Sequence, residues 1–385
     1  MTQPRYDEQF MALALSEARK GLGRTFPNPS VGCVIVLDGK VVGQGYHHKA
    51  GEPHAEVMAL RSVDASVDLS KCTLYVTLEP CCMTGKTPAC TSAIERAGIR
   101  RVVVGAVDPD ARVNGKGVAL LKTLGVEVVV GVLQQECEFI IRGFAKRTVH
   151  KIPWVLAKWA MTLDGKIATK TGESMWITGE KARFRAHQIR NYVDAIMVGK
   201  NTAIEDDPRL TCRIDDGHDP IRVLVDARLE VPLDRKILHA DTSRADTIVL
   251  AASSYMEANP DAVLAREAQG VRVLAVKSDE ETGHLDMDDA LHVLGAQSIG
   301  MLMVEGGGAI FGSLQDAQLI DEVHTFIAPK VIGGQQARGP VLGAGASHMK
   351  DVFALEQIRC EVLTGGDVYI SGQVPSMARR YVTSL

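Results

Sequence analysis

The chain has 385 residues, 46% of them apolar and 23% charged, which suits two packed domains of about 100 to 200 residues each and excludes a disordered or collagen-like protein. A formal net charge of −4 without a basic block argues against an electrostatically driven nucleic-acid binder and against a polybasic membrane patch. No run approaches the roughly 18 apolar residues needed to cross a bilayer, and the start from Met1 to Glu8 lacks an apolar secretion segment, so a cytoplasmic protein is expected.

In chain order, residues 7 to 20 set Phe10, Leu13, Ala14 and Ala18 on one helical stripe, ahead of a Pro/Gly-rich loop over 21 to 30. The apolar run 31 to 37, then Asp38-Gly39 and Val41-Val42, predicts a β-hairpin. A short helix is expected near His54, a strand over 73 to 77, a helix after Cys90 and a buried strand over 101 to 107. A helix around 118 to 124 and a strand over 126 to 132 complete an alternation that argues for a sheet covered by helices. The basic, proline-containing segment 142 to 153 marks the boundary between a domain of residues 1–149 and one of residues 150–385. Beyond it, strands are expected at 154–160, 195–198, 221–225, 247–251, 271–276 and 300–304. Helices are expected at 180–191, 286–294 and 309–316, giving a second α/β domain.

Eight cysteines in a chain of this length do not suggest a disulfide framework, and three of them crowd between positions 81 and 90. His54-Ala55-Glu56 precedes Pro80-Cys81, and Cys90 lies nine residues beyond Cys81. One imidazole and two thiolates make a zinc ligand set. Three protein ligands leave a fourth position for water, whose pKa the metal lowers to about 7, and a carboxylate outside the coordination sphere can shuttle its protons. A His-x-Glu plus Pro-Cys-x-x-Cys signature marks zinc deaminases of nucleobases; here the second cysteine follows eight intervening residues instead of two.

The segment Glu79-Pro80-Cys81-Cys82-Met83-Thr84-Gly85-Lys86-Thr87-Pro88-Ala89-Cys90 resembles the insertion motif of the bifunctional riboflavin biosynthesis family, a pyrimidine deaminase joined to a reductase. Asn28-Pro29-Ser30-Val31-Gly32 and the stretch 47 to 56 fit its deaminase domain as well. The resemblance implies a cytidine-deaminase-like α-β-α domain in which His54, Cys81 and Cys90 hold zinc and Glu56 is the proton shuttle. It places Asn28, His47 and Lys86 against the substrate. The sequence departs from the family pattern at Cys82-Met83, where Ser-His is common, and at Ala89, where a second proline is usual. Cys82 is thereby a competing ligand, with Cys81 favoured by its place directly after proline.

In the second half, an apolar strand pattern leads into Glu305-Gly306-Gly307-Gly308 and then a helical pattern from Ala309. Glycines there admit backbone amides to a phosphate, and the helix N-terminus adds positive potential. Ala157-Lys158, Thr162-Leu163-Asp164-Gly165-Lys166-Ile167-Ala168, Ser174-Met175-Trp176-Ile177-Thr178 and Asp206-Asp207-Pro208-Arg209-Leu210-Thr211-Cys212-Arg213 are similar to blocks of the reductase half of the same family. That half has a dihydrofolate-reductase-like α/β fold. The resemblance implies that Lys158, Ser174, Arg190, Leu210, Arg213 and Glu305 line a ribose-phosphate substrate. It also implies that Trp176, Thr178, Thr202, Asp206, Gly306, Gly307 and Gly308 line NADPH. Arg190 and Arg213 carry the planar, multiply donating groups that suit a phosphate clamp.

The expected activity has two steps on small-molecule phosphoribosylaminopyrimidines. The first is zinc-dependent deamination of 2,5-diamino-6-(5-phosphoribosylamino)pyrimidin-4(3H)-one. The second is NADPH-dependent reduction of the ribosyl side chain of the resulting aminouracil. A nucleic-acid base deaminase with an appended nucleotide-binding domain is the alternative; the charge and the reductase-like half count against it. Neither nucleic acid nor membrane is an expected partner, and two domains with separate sites suit a homo-oligomer.

Overall fold

The apolar run from Val31 folds back at Asp38-Gly39, where φ is 47° and 77°. Positive φ at both central residues of a two-residue connection is the conformation that matches strand twist, and Gly39 adopts it without a Cβ penalty. The result is the expected hairpin of β1 (Gly32–Leu37) and β2 (Lys40–Tyr46). The computed structural model describes residues 3–83 and 88–375, which fall into two units, Met1–His150 and Lys151–Leu385.

In the first unit the chain runs α1 (Gln3–Lys20), the hairpin, α2 (Ala55–Arg61), β3 (Thr73–Leu78), α3 (Cys90–Ala97), β4 (Arg101–Ala106), α4 (Lys116–Thr123), β5 (Glu127–Val130), α5 (Gln134–Ile140) and α6 (Arg142–His150). Among the described residues the strands form one sheet in the order β2-β1-β3-β4-β5, with β3, β4 and β5 parallel. Alternate residues of β1 serve opposite faces. Val34 and Val36 join Phe10, Met11 and Leu15 of α1, whereas Cys33 and Ile35 join Ala55 and Ala59 of α2 and Ile94 of α3. Both faces are therefore buried, which is why the strands read as continuous apolar runs. Asp7 pins α1 to the sheet: the Tyr75 hydroxyl donates to it at 2.8 Å, and Arg101 forks it at 3.1 and 2.8 Å. The boundary segment is helical, with Lys146 of α6 fully buried.

The second unit runs β6 (Trp154–Thr162), α7 (Glu180–Arg190), β7 (Ala195–Gly199), α8 (Lys200–Asp206), β8 (Ile221–Val225), β9 (Thr247–Ala252), α9 (Ser253–Ala258), α10 (Pro260–Glu267), β10 (Arg272–Val276), α11 (Met287–Ala296), β11 (Met301–Gly306), α12 (Gly308–Asp316), β12 (Glu322–Ala328), β13 (Glu356–Val362) and β14 (Val368–Gln373). Among the described residues its sheet has the order β10-β9-β8-β7-β11-β6-β12-β14-β13. Every pair from β10 to β12 is parallel, and β14 and β13 close the sheet antiparallel. The chain leaves β6, adds strands outward in one direction, then returns to insert β11 between β7 and β6. That reversal is a topological switch point, and in open α/β sheets ligands bind at the carboxyl ends of the strands beside such a point.

Candidate active sites

Two helix starts and one strand end build the first site. His54 is the N-cap of α2, Cys90 opens α3, and Cys81 follows β3 by three residues. His54 Nδ1 lies 3.2 Å from Cys90 Sγ and 3.6 Å from Cys81 Sγ, and the three ligand atoms all fall within 4.8 Å of one another. A tetrahedral zinc with ordinary Zn–N and Zn–S bonds sets nitrogen–sulfur separations of about 3.6 Å, so the residues present fit the metal. Cys82 is not part of this cluster.

The cage is held by its surroundings. The Cys81 carbonyl accepts from Thr91 N and Thr91 Oγ1, and Cys90 N points at Cys81 Sγ from 3.4 Å. Just upstream, Glu79 is buried and accepts three backbone amides, from Asp108 at 3.1 Å, Gly115 at 2.8 Å and Val118 at 3.0 Å. A Cβ on Gly117 would lie 2.0 Å from the Pro80 carbonyl oxygen, so the start of α4 rests directly on the loop that delivers Cys81. Hydrogen bonding between the thiols drives Cys81 toward the thiolate, with His54 helping, and leaves the proton on Cys90, pushed up further by burial.

Glu56, in the first turn of α2, is 3% exposed and bonds the Cys90 thiol. Burial pushes its carboxyl up to about 7, against the pull of His54, so it exchanges protons near neutral pH. His47 stands with its ring 5.3 Å from that of His54. The Pro53 carbonyl, 3.1 Å from His47 Nδ1, can only accept, so Nδ1 carries the proton and Nε2 accepts from Asn28 Nδ2 at 3.0 Å. Burial lowers the His47 pKa, in keeping with this neutral form. Asn28, His47, His54 and Glu56 thus form one connected wall. Lys86 lies outside the described residues. Asp108 is a neighbour that sequence reasoning missed: burial pushes its carboxyl up to about 6, with Cys81 close enough to add to the effect.

The second site gathers on β6, α7 and the end of β11. Glu305 Oε1 and Oε2 accept from Arg190 Nε and Nη2, both at 2.6 Å, and Lys158 Nζ lies 3.5 Å from Oε2. Burial would raise the Glu305 carboxyl, but Arg190 and Lys158 outweigh it and hold it down at about 2. Arg190 Nη1 donates to the Thr211 carbonyl at 3.0 Å. The Arg190 fork is therefore committed to Glu305 and to the loop carrying Leu210 and Arg213, on which Arg209 and Arg213 are both exposed. The Leu210 side chain sits in the core, 3% exposed with φ 56°, so only its backbone can meet a ligand. His187 of α7, unremarked in the sequence, accepts from Arg213 N through Nδ1. Burial, then Arg190 and Arg213, lower its pKa to about 4.

Beside this cluster, the Ser174 hydroxyl donates to Asp206 at 3.1 Å. A Cβ on Gly306 would meet Thr202 Oγ1 at 2.9 Å, and Gly307, with φ 93°, caps α12. The strand–glycine–helix turn thus sets the start of α12 beside Thr202, and backbone amides at a helix start with a hydroxyl nearby are a donor set that fits a dinucleotide phosphate. Thr178 is buried, whereas Trp176 is 61% exposed with the Arg183 guanidinium 4.5 Å from its ring centre. An aromatic so exposed is not a core residue; it offers a face for stacking. No helix among the described residues is long and apolar enough to cross a membrane.

Comparison with known proteins identifies a domain in each half of the chain. Residues 4–106 match the cytidine and deoxycytidylate deaminase zinc-binding region, and residues 153–368 match the RibD C-terminal domain. The riboflavin biosynthesis protein RibD of Actinobacillus pleuropneumoniae is 39% identical over 94% of this chain and 94% of its own length. That of Aquifex aeolicus is 45% identical over 85% of this chain and 88% of its own. The crystal structure of a diaminohydroxyphosphoribosylaminopyrimidine deaminase/5-amino-6-(5-phosphoribosylamino)uracil reductase from Thermotoga maritima superposes with a TM-score of 0.83 at 34% identity, covering 97% of this chain and 100% of that one. RibD of Acinetobacter baumannii gives 0.82, also at 34% identity, over 97% and 99%. With a zinc-binding deaminase domain followed by a reductase domain along one chain, this protein belongs to the RibD family of bifunctional riboflavin biosynthesis enzymes.

Proposed function

We propose that residues 1–149 deaminate 2,5-diamino-6-(5-phosphoribosylamino)pyrimidin-4(3H)-one and that residues 150–385 reduce the ribosyl side chain of 5-amino-6-(5-phosphoribosylamino)uracil to ribityl. The observation that carries this is the meeting of His54, Cys81 and Cys90 in one cage with the buried Glu56 at its edge. Zinc held there supplies a Lewis acid that makes water a competent nucleophile near neutral pH. Glu56 takes the proton from the attacking water and returns protons to the departing amine, so that a C–O bond forms, the C–N bond breaks and ammonia leaves. Asn28 and His47 orient the pyrimidine through a hydrogen-bond pair already fixed by Pro53. Lys86 is assigned to the substrate side as well.

In the second domain, NADPH brings the hydride equivalent. Trp176 stacks on the cofactor, and Thr178, Thr202, Asp206, Gly306, Gly307 and Gly308 hold it. Lys158, Ser174 and Glu305 orient the ribose, Leu210 contributes backbone, and Arg213 meets the phosphate. Arg190 acts through Glu305 and Thr211 as a positioning group. The enzyme works in the cytoplasm on free small molecules, as a homo-oligomer, with no nucleic-acid or membrane partner. The test is to give purified protein the diaminopyrimidine with and without NADPH while following ammonia release and cofactor oxidation separately. Ammonia release without NADPH, and oxidation only after it, is expected; absence of ammonia release sinks the deaminase assignment.

A further inference from the structure

The connection from β12 to β13, residues 329–355, holds one short turn of 3-10 helix, and long connections of this kind inside a compact domain are commonly functional. Its segment 330–345 is a strap that touches both groups of residues assigned above to NADPH. Near its start an aspartate of the β6–α7 connection takes two successive amides: Ile332 N donates to Asp164 Oδ1 at 3.1 Å and Gly333 N to Oδ2 at 2.7 Å. At its end the last residue of α12 does the same, Ala344 N donating to Asp316 Oδ2 at 2.9 Å and Gly345 N to Oδ1 at 3.4 Å. A carboxylate at a helix C-terminus opposes the helix dipole, so Asp316 serves the strap and not its own helix.

Between these two pins the strap meets each wall again. Leu163 N donates to the Lys330 carbonyl at 2.8 Å, Lys166 Nζ to the Ala337 carbonyl at 3.0 Å and Ile167 N to the Arg338 carbonyl at 3.0 Å. Lys330 Nζ donates to the Trp176 carbonyl at 2.9 Å, so the strap holds the stacking residue itself. On the other side Leu342 N donates to the Gly308 carbonyl at 3.0 Å, and a Cβ on Gly308 or Gly312 would lie 2.9 or 2.4 Å from Leu342. The strap thus rests directly on the first turns of α12. Both aspartates are exposed, and the Thr162 hydroxyl and the Gly333 amide hold the Asp164 carboxyl down at about 2, so it stays an acceptor near neutral pH.

We propose that Asp164 and Asp316 are positioning residues for the cofactor: by pinning the two ends of the strap they set the separation of the Trp176 loop from the glycine turn, and so the width of the cleft that receives NADPH. This rests on the cofactor assignment above and adds the residues that hold its two walls in place.

The test titrates NADPH into the full chain by calorimetry, beside steady-state reduction, ammonia release and urea unfolding. Asp164→Ala and Asp316→Ala each remove two hydrogen bonds to a carboxylate and should raise the NADPH Kd and KM at least about fivefold. The kcat at saturating NADPH should stay within about twofold of wild type, the pattern of lost ground-state positioning, and ammonia release should not change. Asp164→Asn keeps one acceptor and should fall between wild type and Asp164→Ala. Freeing either end frees the strap, so the double alanine variant should bind NADPH little worse than the weaker of the two single ones, whereas independent sites would multiply their effects. A multiplied effect overturns the strap, and so does a lowered urea midpoint with the NADPH Kd unchanged. Trp176→Ala separates the two readings. If it leaves the NADPH Kd unchanged, the cofactor assignment fails and the strap fails with it. If it weakens NADPH while both aspartate variants bind like wild type, the assignment stands and the strap alone is overturned.

Discussion

Arg190 grips Glu305 through two parallel hydrogen bonds of 2.6 Å while its remaining terminal nitrogen reaches the Thr211 carbonyl. Both side chains are close to fully buried, at 12% and 8% exposure. Removing one partner of a buried pair costs about 3 to 5 kcal/mol where the other charge is left unpaired, and here Lys158, 3.5 Å from Glu305, offsets part of that. Arg190→Ala should therefore lower the urea midpoint of the second unit markedly and abolish reduction, while deamination continues. An unchanged midpoint would show that the pair contributes nothing to the fold.

Glu56→Gln keeps shape and hydrogen-bonding capacity but cannot carry the proton. Deamination should fall by about 100- to 10,000-fold, zinc content should stay at one per chain, and reduction of already deaminated substrate should be unaffected. Loss of zinc in this variant would mean that Glu56 acts as a ligand, contrary to its role here.

Cys81 and Cys82 are adjacent, yet Cys81 alone of the two shares the cage with His54 and Cys90. Cys81→Ala should strip zinc and deamination together, whereas Cys82→Ala should leave both intact. Metal analysis of the two purified variants decides it, and zinc loss from Cys82→Ala reverses the assignment.

Part of the acid limb of stability should come from the second unit. His187 has a pKa of about 4 in the fold against an ordinary 6.5, so between those values the unfolded chain binds more protons than the native one. Its contribution is complete above about 6.5 and is lost as pH falls toward 4. Glu305, held down at about 2 from an ordinary 4.5, extends the loss below that. Unfolding followed from pH 8 to 4 should show a decline that His187→Gln flattens in its upper part; an identical profile in the variant would exclude His187 as its source.

Much of this was legible in the string because the signals were local. His54-Ala55-Glu56 and Pro80-Cys81 carry their chemistry in adjacent residues, and the strand over 221–225 appears at its expected limits. The helix over 142–150 went unread because charge masked its spacing, Lys146 being buried despite its ammonium group. Arg190 looked like a free phosphate clamp because its partner, Glu305, lies 115 residues away and only the sheet brings them together. His187 and Asp108 were invisible for a similar reason: an isolated histidine or aspartate acquires meaning from what surrounds it after folding. Leu210 shows the reverse case, where the side chain serves the core and only the main chain is left for a ligand.

Glu79 gives the metal centre an uncommon independence. Three amides converge on a carboxylate two residues before Cys81, so the delivering loop takes its shape from the polypeptide itself. Small zinc domains collapse when chelated because the ion is their keystone. In this enzyme zinc is closer to a removable tool in a holder that keeps its form. Chelated protein should retain its melting transition and recover deamination on simple re-addition of the ion, and Glu79→Ala should convert that clean reversibility into slow, incomplete recovery.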